Sequence, residues 1–236
     1  AASYQPVMDL WTTTYIKITK CNNFLENIDN VEMDVNKLEE MKAEVKTIRA
    51  YDYFWLAFLW SDVPLVTKVL TVDEANSAFR DSRENVIKFV IEELQSAIPN
   101  LPVTRPDKDY GRITKGAALA ILGRVFLAEK RWEDAKNVYK QVIDLGIYSI
   151  DARFSDLFIE KGENSKEFLL VSKRMPDIYG NSILLSCLGF TWGGYHHYSP
   201  YNELVEDFEC IDGLPVKESP LFDPEKPYEN RDPRLL

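Results

Sequence analysis

The sequence predicts a mainly α protein: a scaffold of packed helical hairpins followed by an irregular, loop-rich second half with little β-structure. Three observations predict it. Apolar residues recur at three- and four-residue steps through residues 10–145. Small residues concentrate where two of those helices must touch. After Asp151 the helical period disappears, and Gly, Pro, Asn and aromatics rise. This sets an expectation of a helical scaffold over 1–150 and an irregular region over 151–236, intertwined as one domain.

From Leu10 to about Asn27, Trp11, Tyr15, Ile18 and Leu25 share one helical stripe, and Asn22 falls on it as a residue expected to hydrogen-bond a neighbouring backbone. A second helix is expected from Asp34 to Trp60. Leu38, Met41, Val45 and Ile48 form its apolar line, with Glu39, Lys42, Glu44 and Lys46 on the wet face. Its second half, RAYDYFWLAFLW, is apolar nearly all round and must be covered by other helices. Pro64 closes the run, since it lacks an N–H and restricts the residue before it.

Residues 67–81 read as a connector, with Asp81 and Glu84 in capping-box spacing before a helix carrying Ile87, Val90, Ile91, Leu94 and Ile98 in phase. Pro99 and Pro102 stop that helix, and Thr114 is placed to cap the next, GAALAILGRVFLAE. After a break at Lys130 and Arg131, Trp132, Ala135, Tyr139 and Val142 share a face, and Gly146 offers a left-handed stop. Gly123, Ala135 and Tyr139 have the spacing of the small, small and aromatic positions of a tetratricopeptide repeat. Gly123 is expected against Ala135 in an antiparallel hairpin. Beyond Asp151, FLLVSK (168–173) reads as a strand, and Ser199-Pro200 as the cap and first position of a short helix through Phe208.

Charge and motifs exclude several function classes. With 38 acidic against 28 basic residues, a net charge of −10 and a pI near 4.9, the chain cannot draw affinity from a phosphate backbone or an anionic membrane. Hydrophobic residues at 45% are nonetheless enough for a packed core. No run of 18 or more apolar residues and no signal-peptide pattern occurs. Cys21, Cys187 and Cys210 lie far apart without CxxC spacing, which reads as buried thiols and not as a zinc or disulfide framework. GxSxG, HExxH, P-loop and GxGxxG are absent, and no cofactor is expected. The acidic residues read as solvated helix faces. Asp207, Glu209 and Asp212 lack the ligand spacing of an EF-hand.

The concentrated chemistry is in FTWGGYHHYSPY, residues 190–201. Trp192, Tyr195, His196, His197, Tyr198 and Tyr201 gather around a Gly pair. Flat aromatic faces stack on the C–H faces of sugar rings, while Tyr hydroxyls and His nitrogens hydrogen-bond ring hydroxyls. The same composition also suits packing over the helices or a protein interface.

Three stretches together carry a resemblance. VKTIRAYDYFWLAFLWSDVPLV resembles the signature helix and turn of the SusD/RagB family, and RITKGAALAILGRVFLAEKRWEDAKNVYKQVID resembles its central repeat helices. SPYNELVEDFECIDGLPV with FDPEKPYENRDPRL is similar to its segment ending in Asn-Arg-Asp-Pro-Arg. One departure is Trp60-Ser61, where members often have an aromatic followed by Gly. The resemblance implies a surface-exposed, lipid-anchored nutrient-binding protein of the bacterial outer membrane. It would act as a non-catalytic lid on a SusC-like TonB-dependent transporter and capture oligosaccharides or, in some members, peptides. It further implies a tetratricopeptide-like scaffold against the transporter and a ligand-holding irregular half. The lack of a signal segment or lipid-acceptor Cys sets the expectation of an internal piece of a longer protein. The competing reading is a tetratricopeptide-type scaffold for peptide tails. A glycan-cleaving enzyme would need a carboxylate pair at fixed separation across the bond.

Overall fold

A computed structural model describes residues 5–172, 180 and 183–235. The chain forms two compact units, residues 1–173 and 174–236.

Among the described residues the first unit holds six α-helices: α1 Gln5–Asn27, α2 Val35–Trp60, the short α3 Val72–Asn76, α4 Arg83–Ala97, α5 Lys115–Ala128 and α6 Trp132–Asp144. Helix α2 is the central element, packed between α1 and α4, and α5 pairs with α6 as the expected hairpin. No strand forms among the described residues, only the isolated antiparallel bridges Val63–Asp81 and Cys210–Arg231. Residues 168–172 of the expected strand are irregular because no neighbouring segment supplies a ladder for them; Lys173 lies outside the described residues.

The core is built where small and large side chains alternate. Ala50, Tyr53, Phe54, Leu56 and Ala57 of α2 meet Val86, Val90 and Leu94 of α4 and Leu119, Leu122 and Val125 of α5. Ile18 joins from α1, and Trp11 packs tilted against Tyr15 and edges onto Trp60 at centroid distances of 5.0 and 5.4 Å. The cover on the apolar half of α2 is incomplete, since Phe58 and Leu59 are exposed.

The reading of α2 needs correction on two sides. Ile48 is exposed, while Glu44, placed on the wet face, is buried. The cause is tertiary: Arg105 and Arg112, from the loop before α5, both donate to Glu44, and Arg105 also pairs with Glu40. The polar loop thereby reaches back and closes over the helix face.

In the hairpin, the nearest atoms to Gly123 are those of the Tyr139 ring: a Cβ at Gly123 would stand 2.6 Å from it. Close approach is the reason for glycine here, as inferred, but the aromatic fills the notch. Thr114 caps α5 as expected, accepting from Ala117 N–H at 3.3 Å. Gly146 ends the hairpin at φ +67°. The capping box is displaced from its expected place. It forms at Thr71 and Glu74 on α3, while Ser82 caps α4. Asp81 is occupied instead in accepting from Leu65 N–H at 2.9 Å.

The turn after α2 is held by the helices it resembles a signature with. Asn22 donates to the Val66 and Lys68 carbonyls at 3.0 Å each, the backbone role expected of it. The Tyr53 hydroxyl donates to the Val66 carbonyl at 2.8 Å and accepts from Val66 N–H at 2.7 Å. Tyr15 donates to the Pro64 carbonyl at 2.8 Å. Arg49 pairs with Glu93 of α4 through bonds of 2.8 and 2.5 Å and donates to Asn22 Oδ1 at 2.7 Å. Asn22, Tyr53 and Tyr15 thus satisfy turn backbone that has no ladder of its own, and Arg49 and Glu93 hold Asn22 in place.

The second unit contains α7 Ile183–Cys187 and α8 Asn202–Asp207 joined by turns. Of the cysteines, Cys21 and Cys210 are buried and Cys187 is exposed.

Candidate functional site

The six residues singled out in the loop lie within the second unit, between α7 and the first turn of α8. Residues 190–192 make a single 3-10 turn that Gly193 ends at φ +79°, a left-handed position that glycine takes without strain. The loop then folds back on α7: Tyr195 N–H donates to the Leu185 carbonyl and His197 N–H to the Ser186 carbonyl, both at 2.7 Å, and His196 N–H to the Leu188 carbonyl at 3.0 Å. Gly194 is buried, and a Cβ there would collide with Leu188. These bonds fix the backbone and leave the rings outward.

All six side chains are exposed. Trp192 is 80% accessible, Tyr201 82%, Tyr198 68% and Tyr195 56%. Tyr195 and His197 stack at 5.3 Å with planes 20° apart, forming a double flat face. His196, at φ +49°, turns the other way and bonds Ser199 at 2.8 Å. The two histidines thus have different partners, and among the described residues no group of three His, Cys, Asp or Glu is placed to hold a metal ion. Ser199 is accordingly taken by His196 and does not cap α8; the helix starts three residues later, at Asn202 after Tyr201. An aromatic surface with hydroxyl and imidazole edges can stack on a flat apolar ring face and hydrogen-bond its rim.

Sequence reasoning left the Asn230-Arg231-Asp232-Pro233-Arg234 run without a role. Arg231 is 3% exposed, donates to the carbonyls of Val205 and Phe208 at 2.6 and 2.7 Å and of Pro227 at 2.9 Å, and lies 5.8 Å from the Phe222 ring. It ties α8 to the tail of the unit. Arg234 pairs with Asp232, which holds that carboxyl below the usual range, at about 2. The signal that could have found Arg231 is an Arg between Asn and Asp-Pro in a segment otherwise made of turns. In the first unit a further exposed aromatic, Phe79, borders a concavity of about 450 Å³ lined by the 64–68 turn and Glu74.

Comparison with known proteins bears on this surface. Residues 2–127 match a family model of SusD-like proteins, described as starch-binding and associating with the outer membrane. A SusD-like protein of Formosa agariphila is 28% identical over 175 residues, 74% of this chain and 33% of that relative. A solved SusD-like carbohydrate-binding protein from Bacteroides fragilis superposes with a TM-score of 0.92 at 33% identity, covering 97% of this chain and 45% of that one. A laminarin-binding SusD-like protein gives 0.66 at 29% identity, covering 69% and 36%. The chain therefore spans less than half the length of these relatives. No helix among the described residues is long and apolar enough to cross a membrane. The matched helical half and the close superposition agree with the signature helix, the repeat hairpin and the Asn-Arg-Asp-Pro-Arg segment: the chain belongs to the SusD-like (SusD/RagB) family.

Proposed function

We propose that this chain is the scaffold and part of the ligand-binding half of a non-catalytic, surface-exposed glycan-binding protein, which hands oligosaccharide to a SusC-like TonB-dependent transporter. The single observation that carries the reading is the aromatic loop: four large exposed rings on a segment whose backbone N–H groups from Trp192 to Tyr198 are all hydrogen-bonded. Exposing such rings in water costs free energy that a packing role would recover, whereas a sugar ring recovers it only on binding. The carbohydrate-binding and laminarin-binding proteins among its structural relatives support the same class of ligand. Residues 1–150 serve as scaffold toward the transporter and residues 151–236 toward the ligand. Attachment to the outer membrane would be through a lipid anchor. The test is glycan binding by the natural full-length protein and its Trp192→Ala variant. The variant is expected to lose about 1–3 kcal/mol of affinity with an unchanged melting temperature. Equal binding by both would remove the loop from the site. Copurification with a TonB-dependent transporter from outer membranes tests the delivery step, and recovery bound to peptide tails in the cytoplasm would reject it.

A further inference from the structure

The second unit contains a cleft of about 530 Å³, lined largely by the two segments that lead to and end in Asn-Arg-Asp-Pro-Arg. One wall is α8, which presents Asn202, Glu206 and Asp207; the other carries Lys217 and the exposed ring of Tyr228, and Arg231 closes the structure between them. The volume is within the usual range of small-ligand sites, about 300–1,000 Å³.

The lining chemistry narrows the occupant. Glu206 and Asp207 are matched by Lys217 and Arg231, so the cleft has no net charge to attract an anion or a cation. Its groups are mixed in kind: carboxylates accept, Lys donates and Asn does both. Sugar hydroxyls also both donate and accept, which fits a mixed rim better than a phosphate or an amine does. Glu206 is oriented in advance by a 2.6 Å bond from Asn202 one turn earlier. Arg231 adds an independent observation. It is buried, and among the described residues its partners are three carbonyl oxygens and the Phe222 ring, its Nε has no hydrogen-bond partner, and no carboxylate pairs with it. A buried cation without a counter-ion is a poor choice for stability alone.

The cleft is joined to the aromatic loop by chain continuity, because Tyr201 of the loop immediately precedes Asn202 of the cleft wall. We propose that this cleft is a second sugar-ring subsite, extending the aromatic loop so that one oligosaccharide engages both. The proposal rests on the glycan-binding reading, and its test separates the two.

Hexasaccharides derived from starch, laminarin, xylan, mannan and pectin are titrated calorimetrically into the full-length protein, followed by the trisaccharide of whichever binds. In the parent, the hexasaccharide is expected to bind about tenfold tighter than the trisaccharide. Tyr228→Ala and Glu206→Gln, both exposed and expected to leave the melting temperature unchanged, should each reduce that length-dependent gain by about fivefold or more while sparing the trisaccharide. If both variants keep the parent's preference for length while Trp192→Ala loses binding, the subsite is wrong and the glycan reading stands. A loss shared equally by both lengths also overturns a separate subsite. Should no hexasaccharide bind the parent, the glycan reading fails and the subsite with it.

Discussion

Removing the carboxylate of Glu93 is the sharpest perturbation of the scaffold. Arg49 and Glu93 join α2 to α4, and their side chains are 8% and 6% exposed. Two bonds of 2.8 and 2.5 Å link them, and Arg49 spends its remaining donors on Asn22 and the Thr67 carbonyl. Glu93→Ala therefore strands a guanidinium in a site that water scarcely reaches. Leaving one member of a buried pair uncompensated costs about 3–5 kcal/mol. At about 2–4 °C per kcal/mol for a chain of this size, the melting temperature should fall by roughly 6–20 °C. Chemical denaturation followed by circular dichroism measures the loss. The double variant Arg49→Met/Glu93→Leu removes both charges and keeps apolar volume, so it should recover most of the stability, although Asn22 loses one partner. A Glu93→Ala loss below about 1 kcal/mol would refute the reasoning, because it would mean that the pair is solvated. A double variant as unstable as the single one would refute it differently, by showing that the bonds to Asn22 and Thr67 matter more than charge.

Gly123→Leu should cost about 1–3 kcal/mol by driving a side chain into the Tyr139 ring, and Tyr139→Ala in the same background should restore part of it, as thermal melts would show. Ser61 stands at φ +64°, where the family often has glycine, so Ser61→Gly should raise stability by about 1 kcal/mol in urea denaturation. Burial raises the Asp52 carboxyl to about 6, only partly offset by Lys17 at 3.9 Å, and its Oδ2 has no hydrogen-bond partner. The folded state thus binds this proton more tightly than the unfolded state, whose carboxyl titrates near 3.9. The contribution of Asp52 to stability should rise as pH falls from 7 through 6 toward 4, and Asp52→Asn should flatten that slope in denaturation curves taken across the range. Tyr195→Ala and Tyr198→Ala should weaken oligosaccharide binding by less than Trp192→Ala, because each presents a smaller ring, and calorimetry ranks the three.

Local pattern was enough to place the long helices, since α1, α2, α4, α5 and α6 each repeat apolar residues at the helical period over at least 13 residues. The Thr114 cap and the Gly146 stop were legible because each depends on one residue and the backbone near it; that Asn22 serves backbone was legible from its place on an apolar stripe, while its partners, the Val66 and Lys68 carbonyls 44 and 46 residues away, were not. What failed needed knowledge of distant segments. Glu44 looks solvated until Arg105 and Arg112 arrive from 61 and 68 residues away, and Asp81 resembles a cap until Leu65 claims it. Gly123 was recognised as a close contact, yet only the packed hairpin shows the Tyr139 ring lying against it. In the second unit the aromatic composition was visible from sequence, while the outward direction of the rings was not, because it follows from backbone bonds to Leu185 and Ser186 of α7 and to Leu188 just after it. Periodicity and spacing determine which local elements form. Which charges are neutralised, and which rings are left facing water, is decided by residues far apart in sequence that meet only when the chain folds.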